Sequence, residues 1–162
     1  MKEIDFSKIK LIVYDFDGVM TNNKVYVDQN GKEMVQVNRS DGLGVSEIKK
    51  LGIHQIIIST EKNEIVKVRA NKLGLHCIHG VDDKKTALIE FCEKNKIKFD
   101  TICYVGNDIN DLDAMLICGF RFCPSDAYED IKKISTHILK TKGGNGVIRE
   151  ILDQIKERYE IK

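Results

Sequence analysis

The sequence predicts an α/β protein of three layers: a mostly parallel sheet covered by helices on both faces, with a β-hairpin added after the first strand. Three observations carry that expectation. Short apolar runs alternate with helix-length segments along most of the chain, the order a parallel sheet requires because each parallel pair needs a crossover. The first such run, residues 9–15, holds apolar residues without alternation from Leu11 to Tyr14 before Asp15, as suits a strand buried on both faces. The 162 residues suffice for one well-buried core and contain no linker, repeat or low-complexity tract, so a single domain is expected over 1–162.

Taken in order, the first strand stops at Asp15-Phe16-Asp17-Gly18, where glycine lets the chain turn sharply. Residues 24–28 and 33–38 alternate about Asn30-Gly31, a pair that tolerates positive φ, and read as a hairpin. Strands at 54–59, 76–78, 101–105, 120–123 and 136–139 then interleave with helices at 41–50, 63–73, 84–95, 111–117 and 127–134. A loop, Gly143-Gly144-Asn145-Gly146, precedes a final helix at 147–159.

Composition narrows the class. Charged residues make up 31% and hydrophobic residues 42%, a balance that suits a globular domain and excludes a disordered chain. A net charge of +1 gives no general attraction to nucleic acid or membrane, and neither is expected as a partner. The apolar run near the amino terminus is broken by Asp15 and Asp17, which argues against a signal peptide, and no stretch approaches the ~20 apolar residues of a membrane span. The cytoplasm is the expected compartment. Five scattered cysteines (Cys77, Cys92, Cys103, Cys118, Cys123) predict neither a disulfide framework nor a zinc site. His76 and His79 stand three apart on a strand and face opposite sides; with His54 and His137 they receive no role.

Ligands of open α/β sheets bind beyond the carboxyl ends of the strands. Four predicted strand ends carry chemistry: Asp15 with Asp17, Ser59, Lys84, and Asn107 with Asp108 and Asp111. Two carboxylates one residue apart raise each other's pKa unless a cation lies between them, and a hard divalent ion such as Mg²⁺ meets that need. The competing reading is a turn with an aspartate cap, since Asp and Gly are what a turn selects. Ser59 is equally a candidate helix N-cap, and Lys84 is one of 26 basic residues.

Together the motifs say more. D-F-D-G-V-M-T resembles the D-x-D-G-V-[LM]-T motif of haloacid dehalogenase (HAD) phosphatases. N-R-S-D-G-L-G, S-T-E-K-N, V-D-D-K, V-G-N-D-I-N-D and G-G-N-G-V-I-R-E extend the resemblance over nearly the whole chain. The chain is similar to the capless, tetrameric branch that dephosphorylates eight-carbon and nine-carbon 2-keto-3-deoxy sugar acids, the 3-deoxy-D-manno-octulosonate 8-phosphate and 2-keto-3-deoxynonulosonate (KDN) 9-phosphate phosphatases. The resemblance implies a Rossmann-like fold and Mg²⁺-dependent hydrolysis of a phosphomonoester. Asp15 would attack phosphorus and form an aspartyl phosphate; Asp17 would protonate the leaving oxygen and then activate water. Ser59 would bond a phosphoryl oxygen, and Lys84 would pair with the nucleophile and the developing charge. The implied metal ligands are Asp15, the main-chain carbonyl of Asp17 and Asn107, which stands where many relatives carry aspartate. Asp108 is the alternative direct contact, with Asp111 in support.

Thr60-Glu61-Lys62-Asn63 follows Ser59 where octulosonate phosphatases typically carry Gly-Arg. A glutamate there repels a substrate carboxylate and accepts hydrogen bonds from hydroxyls or an amine. The resemblance thus favours the nine-carbon branch, whose members pair such a glutamate with a lysine at the position of Lys72. KDN 9-phosphate or an N-acylneuraminate 9-phosphate is the expected substrate, octulosonate 8-phosphate the next; the plain alternative makes Glu61 and Lys72 exposed helix residues. Arg149 is the family's R-E arginine, behind a G-G-x-G loop that either approaches a phosphate or a neighbour's site or is a simple connection. Hairpins of the resembled family join in fours, and Val25, Val27, Val35 and Val37 give this hairpin apolar rows, which implies a homotetramer; folding back on its own domain is the alternative. Two other classes stand against the enzyme. An inactive assembly module tied to a sugar-acid cytidylyltransferase is disfavoured by the presence of Asp15, Asp17, Ser59 and Lys84, with Asn107 leaving it room. A phosphate-accepting receiver domain has no use for an acid two residues after its nucleophile, and Asp17 argues against it.

Overall fold

Strand β1 (Leu11–Tyr14) is buried along its whole length and lies mid-sheet between β4 (His54–Ile58) and β6 (Ile102–Val105) in this computed structural model, which describes residues 5–159. Beyond β4 comes β5 (His76–Ile78); beyond β6 come β7 (Phe120–Cys123) and β8 (His137–Ile138). All pairings in this six-stranded sheet are parallel. The chain builds outward from β1 to one edge and then crosses back to build the other. The strand order therefore reverses beside β1, and such a switch point opens a crevice at the carboxyl ends of the flanking strands.

Helices α1 (Arg39–Lys50), α2 (Ile65–Leu73) and α6 (Val147–Tyr159) cover one face; α3 (Lys84–Asn95), α4 (Leu112–Leu116) and α5 (Glu129–Ile134) cover the other. The period of two along β1 divides its side chains between two cores. Ile12 and Tyr14 pack with α1, α2 and α6, while Leu11 and Val13 pack with the opposite layer. Helix α6 contributes Val147, Ile148, Ile151, Leu152 and Ile155 at helical spacing, and meets Val45 and Ile48 of α1. The approach of α1 to α6 is close. A Cβ on Gly44 would fall 2.9 Å from the main chain of Ile148.

Several ends differ from expectation, some of them through side-chain capping. Helix α1 starts two residues early because Asn38 accepts from the Ser40 N–H at 2.9 Å. Helix α2 starts later than 63, since the Asn63 side chain accepts from the Ile65 N–H at 3.1 Å. Short 3-10 turns at Phe6–Lys8, Phe99–Thr101 and Ile109–Asp111 precede β1, β6 and α4. The hairpin, β2 (Thr21–Val27) and β3 (Glu33–Val37), is longer than expected. Its turn is not a two-residue Asn-Gly loop. Asp28 closes it by accepting from the Asn30 and Lys32 N–H groups at 2.8 and 2.9 Å, and of the two turn residues only Gly31 takes positive φ.

One buried charge joins the two helices that lie closest. Asp41, in the first turn of α1, has no exposed surface and accepts from the Ile148 N–H at 2.9 Å, capping α6 from another helix. Burial pushes its carboxyl up to about 6, opposed by the N–H groups of Ile148 and Arg149 and by Arg69. A carboxyl raised from 3.8 in this way contributes stability that is fully present below its ordinary value and lost as pH rises through about 6. Asp41→Asn keeps an acceptor for Ile148 and removes the charge. Its stability relative to the wild type should therefore improve by on the order of 2 kcal/mol between about pH 4 and pH 7.5 in urea unfolding; a difference independent of pH would refute the account.

Candidate active site

Where β1 ends, the Asp15 N–H donates to the Val105 carbonyl at 3.0 Å, so the strand register carries one residue past the sheet before the chain turns. Asp15 is buried. Its Oδ1 accepts from the Phe16 N–H at 2.7 Å and lies 2.7 Å from Lys84 Nζ. Lys84 opens α3 behind its N-cap Asp83, and 2% of it is exposed, although it carries an ammonium group. The same ammonium lies 2.7 Å from Asp111 Oδ1, which also accepts from the Tyr104 hydroxyl at 3.1 Å. Asp111 Oδ2 accepts from the N–H groups of Asn107 and Asp108 at 2.9 and 3.3 Å. The end of β1, the loop after β6 and the start of α3 thus meet on a single buried cation.

The charges do not balance within the protein. Asp15, Asp17 and Asp111 set three carboxylates against one ammonium. Burial raises the Asp15 carboxyl, Asp111 raises it further, and Lys84 only partly offsets them, leaving it at about 8. Burial alone would lower Lys84, but Asp15 and Asp111 outweigh it and hold the ammonium form above its ordinary value. One lysine satisfies one carboxylate, and the excess negative charge is what a divalent cation would neutralise.

The donor set fits such an ion. The Asn107 side-chain oxygen faces the Asp17 carbonyl oxygen at 2.9 Å and Asp15 Oδ2 at 3.1 Å, and only with the amide turned over would its nitrogen donate to both. Oxygen separations of about 3 Å match the edge of an octahedron with bonds of about 2.1 Å, the geometry Mg²⁺ demands. Gly18 makes the arrangement possible: its φ is +81°, and a Cβ there would fall 2.0 Å from the Asn107 amide. The glycine loop supports it from outside. Gly144 N–H donates to the Val19 carbonyl at 3.0 Å, and a Cβ on Gly143 would fall 2.2 Å from the Gly18 carbonyl oxygen.

Asp17 is half-buried, and its Oδ1 accepts from the Thr21 hydroxyl at 3.2 Å. Burial raises its carboxyl; the Thr21 hydroxyl opposes, Glu61 raises it again, Lys84 lowers it and Glu33 raises it. Ser59, buried at the end of β4, does not cap α2: its Oγ accepts from the Glu61 N–H at 3.1 Å, an arrangement in which its own proton can point to a ligand. Thr60 Oγ1 accepts from the Asn110 amide at 3.3 Å, tying two loops of the rim together. Glu61 accepts from the Asn63 N–H at 2.7 Å, and the Asn63 side chain reaches Glu33 of the hairpin at 3.4 Å.

Three expected residues lie elsewhere within this chain. Asp108 was the alternative metal contact, but its carboxylate turns back to accept from the Ile109 N–H at 2.7 Å and caps the following turn. Lys72 is exposed in the last turn of α2, about 10 Å along the helix from its first residue, whereas Glu61 precedes the opposite end. Arg149 pairs with Asp153 along α6 at 3.1 Å and stays half exposed. Conversely, sequence reasoning missed Tyr104, Glu33 and Asn110. For Tyr104 a signal existed, a single hydroxyl on an otherwise apolar strand. For the other two there was none, because only the loop conformations bring them to the rim.

A doubly covered parallel sheet with this carboxylate and lysine cluster at its switch point is the framework of an aspartate-based hydrolase. The chain belongs to the haloacid dehalogenase-like hydrolases, whose family profile matches residues 47–151, and it is a phosphatase. It is 31% identical over 148 residues to 3-deoxy-D-manno-octulosonate 8-phosphate phosphatase of Haemophilus influenzae, covering 91% of this chain and 82% of that one. Among solved structures, a candidate HAD-family hydrolase of Streptomyces avermitilis is 38% identical with a TM-score of 0.89, covering 91% of this chain and 85% of that one. The octulosonate 8-phosphate phosphatase of Moraxella catarrhalis, crystallised with magnesium, phosphate and 3-deoxy-D-manno-octulosonate (KDO), is 33% identical with a TM-score of 0.89, covering 94% and 88%.

Breaking a buried ion pair strands its partners in a medium that cannot solvate them. Lys84→Met should therefore cost about 3 to 5 kcal/mol of unfolding free energy at neutral pH in EDTA; a loss below about 1 kcal/mol would mean that the ammonium does not hold the two aspartates together.

Proposed function

We propose that this chain, as one capless domain over residues 1–162, removes the terminal phosphate of a 2-keto-3-deoxy sugar acid by way of a phosphoryl-Asp15 intermediate. The observation that carries the reading is the convergence of Asp15 Oδ2, the Asp17 carbonyl and the Asn107 amide beside the Lys84 ammonium. Those three groups are the ligands for Mg²⁺, which when bound offsets phosphoryl charge and orients the phosphate toward Asp15. The magnesium and phosphate ions crystallised with the Moraxella relative support the same assignment. Asn107 supplies a neutral oxygen where a carboxylate would bind more strongly, so the site is tuned to weaker metal affinity.

Asp15 attacks phosphorus, and the bond from phosphorus to the sugar oxygen breaks. Asp17, whose carboxyl burial raises, gives its proton to that oxygen. Asp17 then takes a proton from water as the water attacks the aspartyl phosphate, which releases phosphate and restores Asp15. Ser59 donates to a phosphoryl oxygen, and Lys84 neutralises the charge that develops beside the nucleophile.

For the sugar end, Glu61 and Glu33 make the rim acidic beside Asp17. Such a rim suits hydroxyls or an acylamino group and repels a carboxylate, so we favour a nine-carbon acid 9-phosphate, KDN or N-acylneuraminate, with Thr60 beside it. Lys72 and Arg149 then serve substrate binding only from another subunit. The octulosonate 8-phosphate is the second reading, favoured by the names of the relatives. Assembly as a homotetramer is supported by the hairpin: Val35 and Val37 pack on the chain's own core, while Val25, Tyr26, Val27 and Met34 are 49%, 72%, 61% and 64% exposed. Free thiols at all five cysteines suit the reducing cytoplasm.

Phosphate release from a panel of sugar phosphates tests the chemistry. Activity should require Mg²⁺, vanish with EDTA and fall at least about a thousandfold in Asp15→Asn and in Asp17→Asn; Glu61→Arg should shift preference from the nonulosonate 9-phosphates to octulosonate 8-phosphate. Turnover that survives Asp15→Asn refutes the intermediate, and a wild-type preference for the octulosonate refutes the argument from Glu61. Sedimentation tests the assembly: the wild type should run at four times the chain mass, and Tyr26→Lys with Val27→Lys should dissociate it.

A further inference from the structure

We propose that Tyr104 is a positioning residue for the phosphoryl-transfer site, acting on Lys84 through Asp111; the proposal rests on the roles given above to Asp15 and Lys84. Tyr104 has no exposed surface and packs on the face covered by α3 and α4. Its hydroxyl donates to Asp111 Oδ1 at 3.1 Å, the oxygen that lies 2.7 Å from Lys84 Nζ. Asp111 Oδ2 accepts from the Asn107 and Asp108 N–H groups at 2.9 and 3.3 Å. A carboxylate offers about four acceptor directions, and all four are taken. Asp111 is therefore fixed in orientation, and its attraction for the ammonium is shared with a second donor.

That sharing matters because Lys84 stands 2.7 Å from both Asp15 Oδ1 and Asp111 Oδ1. Its place is a balance between the nucleophile and the supporting carboxylate. Without the Tyr104 hydroxyl, Asp111 Oδ1 has Lys84 as its sole donor. The carboxylate is then free to turn with the ammonium and draw it away from Asp15. Lys84 stands beside the nucleophile, where charge redistributes as the bond to phosphorus forms, so a displaced Lys84 lowers kcat more than it affects KM.

Phenylalanine fills the same volume in β6, so the hydroxyl can be removed alone. Tyr14 supplies the control. It is equally buried, on the adjacent strand and the other face of the sheet, and its hydroxyl donates to Gln55 Oε1 at 2.9 Å rather than to a carboxylate of the site. Either Tyr→Phe change deletes one buried hydrogen bond.

The test is steady-state kinetics with Mg²⁺ on a phosphomonoester that the wild type hydrolyses, with thermal unfolding of each variant. Tyr104→Phe should lower kcat about tenfold with KM within about twofold, and Tyr14→Phe should leave kcat within about twofold while losing comparable stability. Unchanged kcat in Tyr104→Phe, or an equal loss in both variants, overturns the proposal. Adding Tyr104→Phe to Asp111→Asn should cost nothing more, because the path through Asp111 is already broken; a further tenfold loss overturns that path. Wild-type turnover retained in Asp15→Asn would instead overturn the parent assignment, and the proposal with it.

Discussion

Everything at the carboxyl edge of the sheet depends on one buried ammonium. Lys84 lies between Asp15 and Asp111 at the same 2.7 Å from each, so it binds the end of β1 to the loop after β6 through the first residue of α3. Neither carboxylate could stay where it is without the lysine, and the lysine could not be buried without them. The cost of desolvating three charged groups is met by their mutual contacts and by the donors around Asp111. What the protein does not supply is neutrality. The residual negative charge is what a hard divalent cation would offset.

Around that centre the loops act as supports. Gly18 lets the turn after β1 press against Asn107, and the glycine loop before α6 presses on the turn from the other side. Asp41 then anchors α6 to α1 through the Ile148 N–H, so the helix behind the glycine loop is held by a buried carboxylate of its own. Two separate buried acids thus serve different ends. Asp111 holds Lys84 beside Asp15, and Asp41 fastens α6 to α1. Asn107 is the group directed at Asp15 and the Asp17 carbonyl. Asp108 instead caps its own turn.

The hairpin and the loop after β4 meet at the rim of the pocket. The hairpin is not an independent arm: Val35 and Val37 pack on the core, and Glu33 meets Asn63 beside the pocket. Its outer strand keeps Tyr26 and Val27 exposed, a surface suited to another protein face. β3 packs on the core and meets the rim, while β2 beyond Thr21 stays exposed.

The fold class and the four central residues were legible from sequence because they depend on local patterns. An unbroken apolar strand, the aspartate pair before Gly18, and a lysine after an aspartate cap each leave a mark within a few residues. So did the strand and helix alternation, which missed at element ends, some of them set by side chains such as Asn38 and Asn63. Long-range geometry left no such mark. That Asn107 rather than Asp108 faces Asp15, that Lys72 sits at the far end of its helix and Arg149 on an outer face, and that Glu33 and Asn110 reach the rim were decided only by the tertiary structure. The physical reason is that charge and hydrogen-bond partners are set by where loops converge, and in a parallel sheet those loops come from strands far apart in the chain.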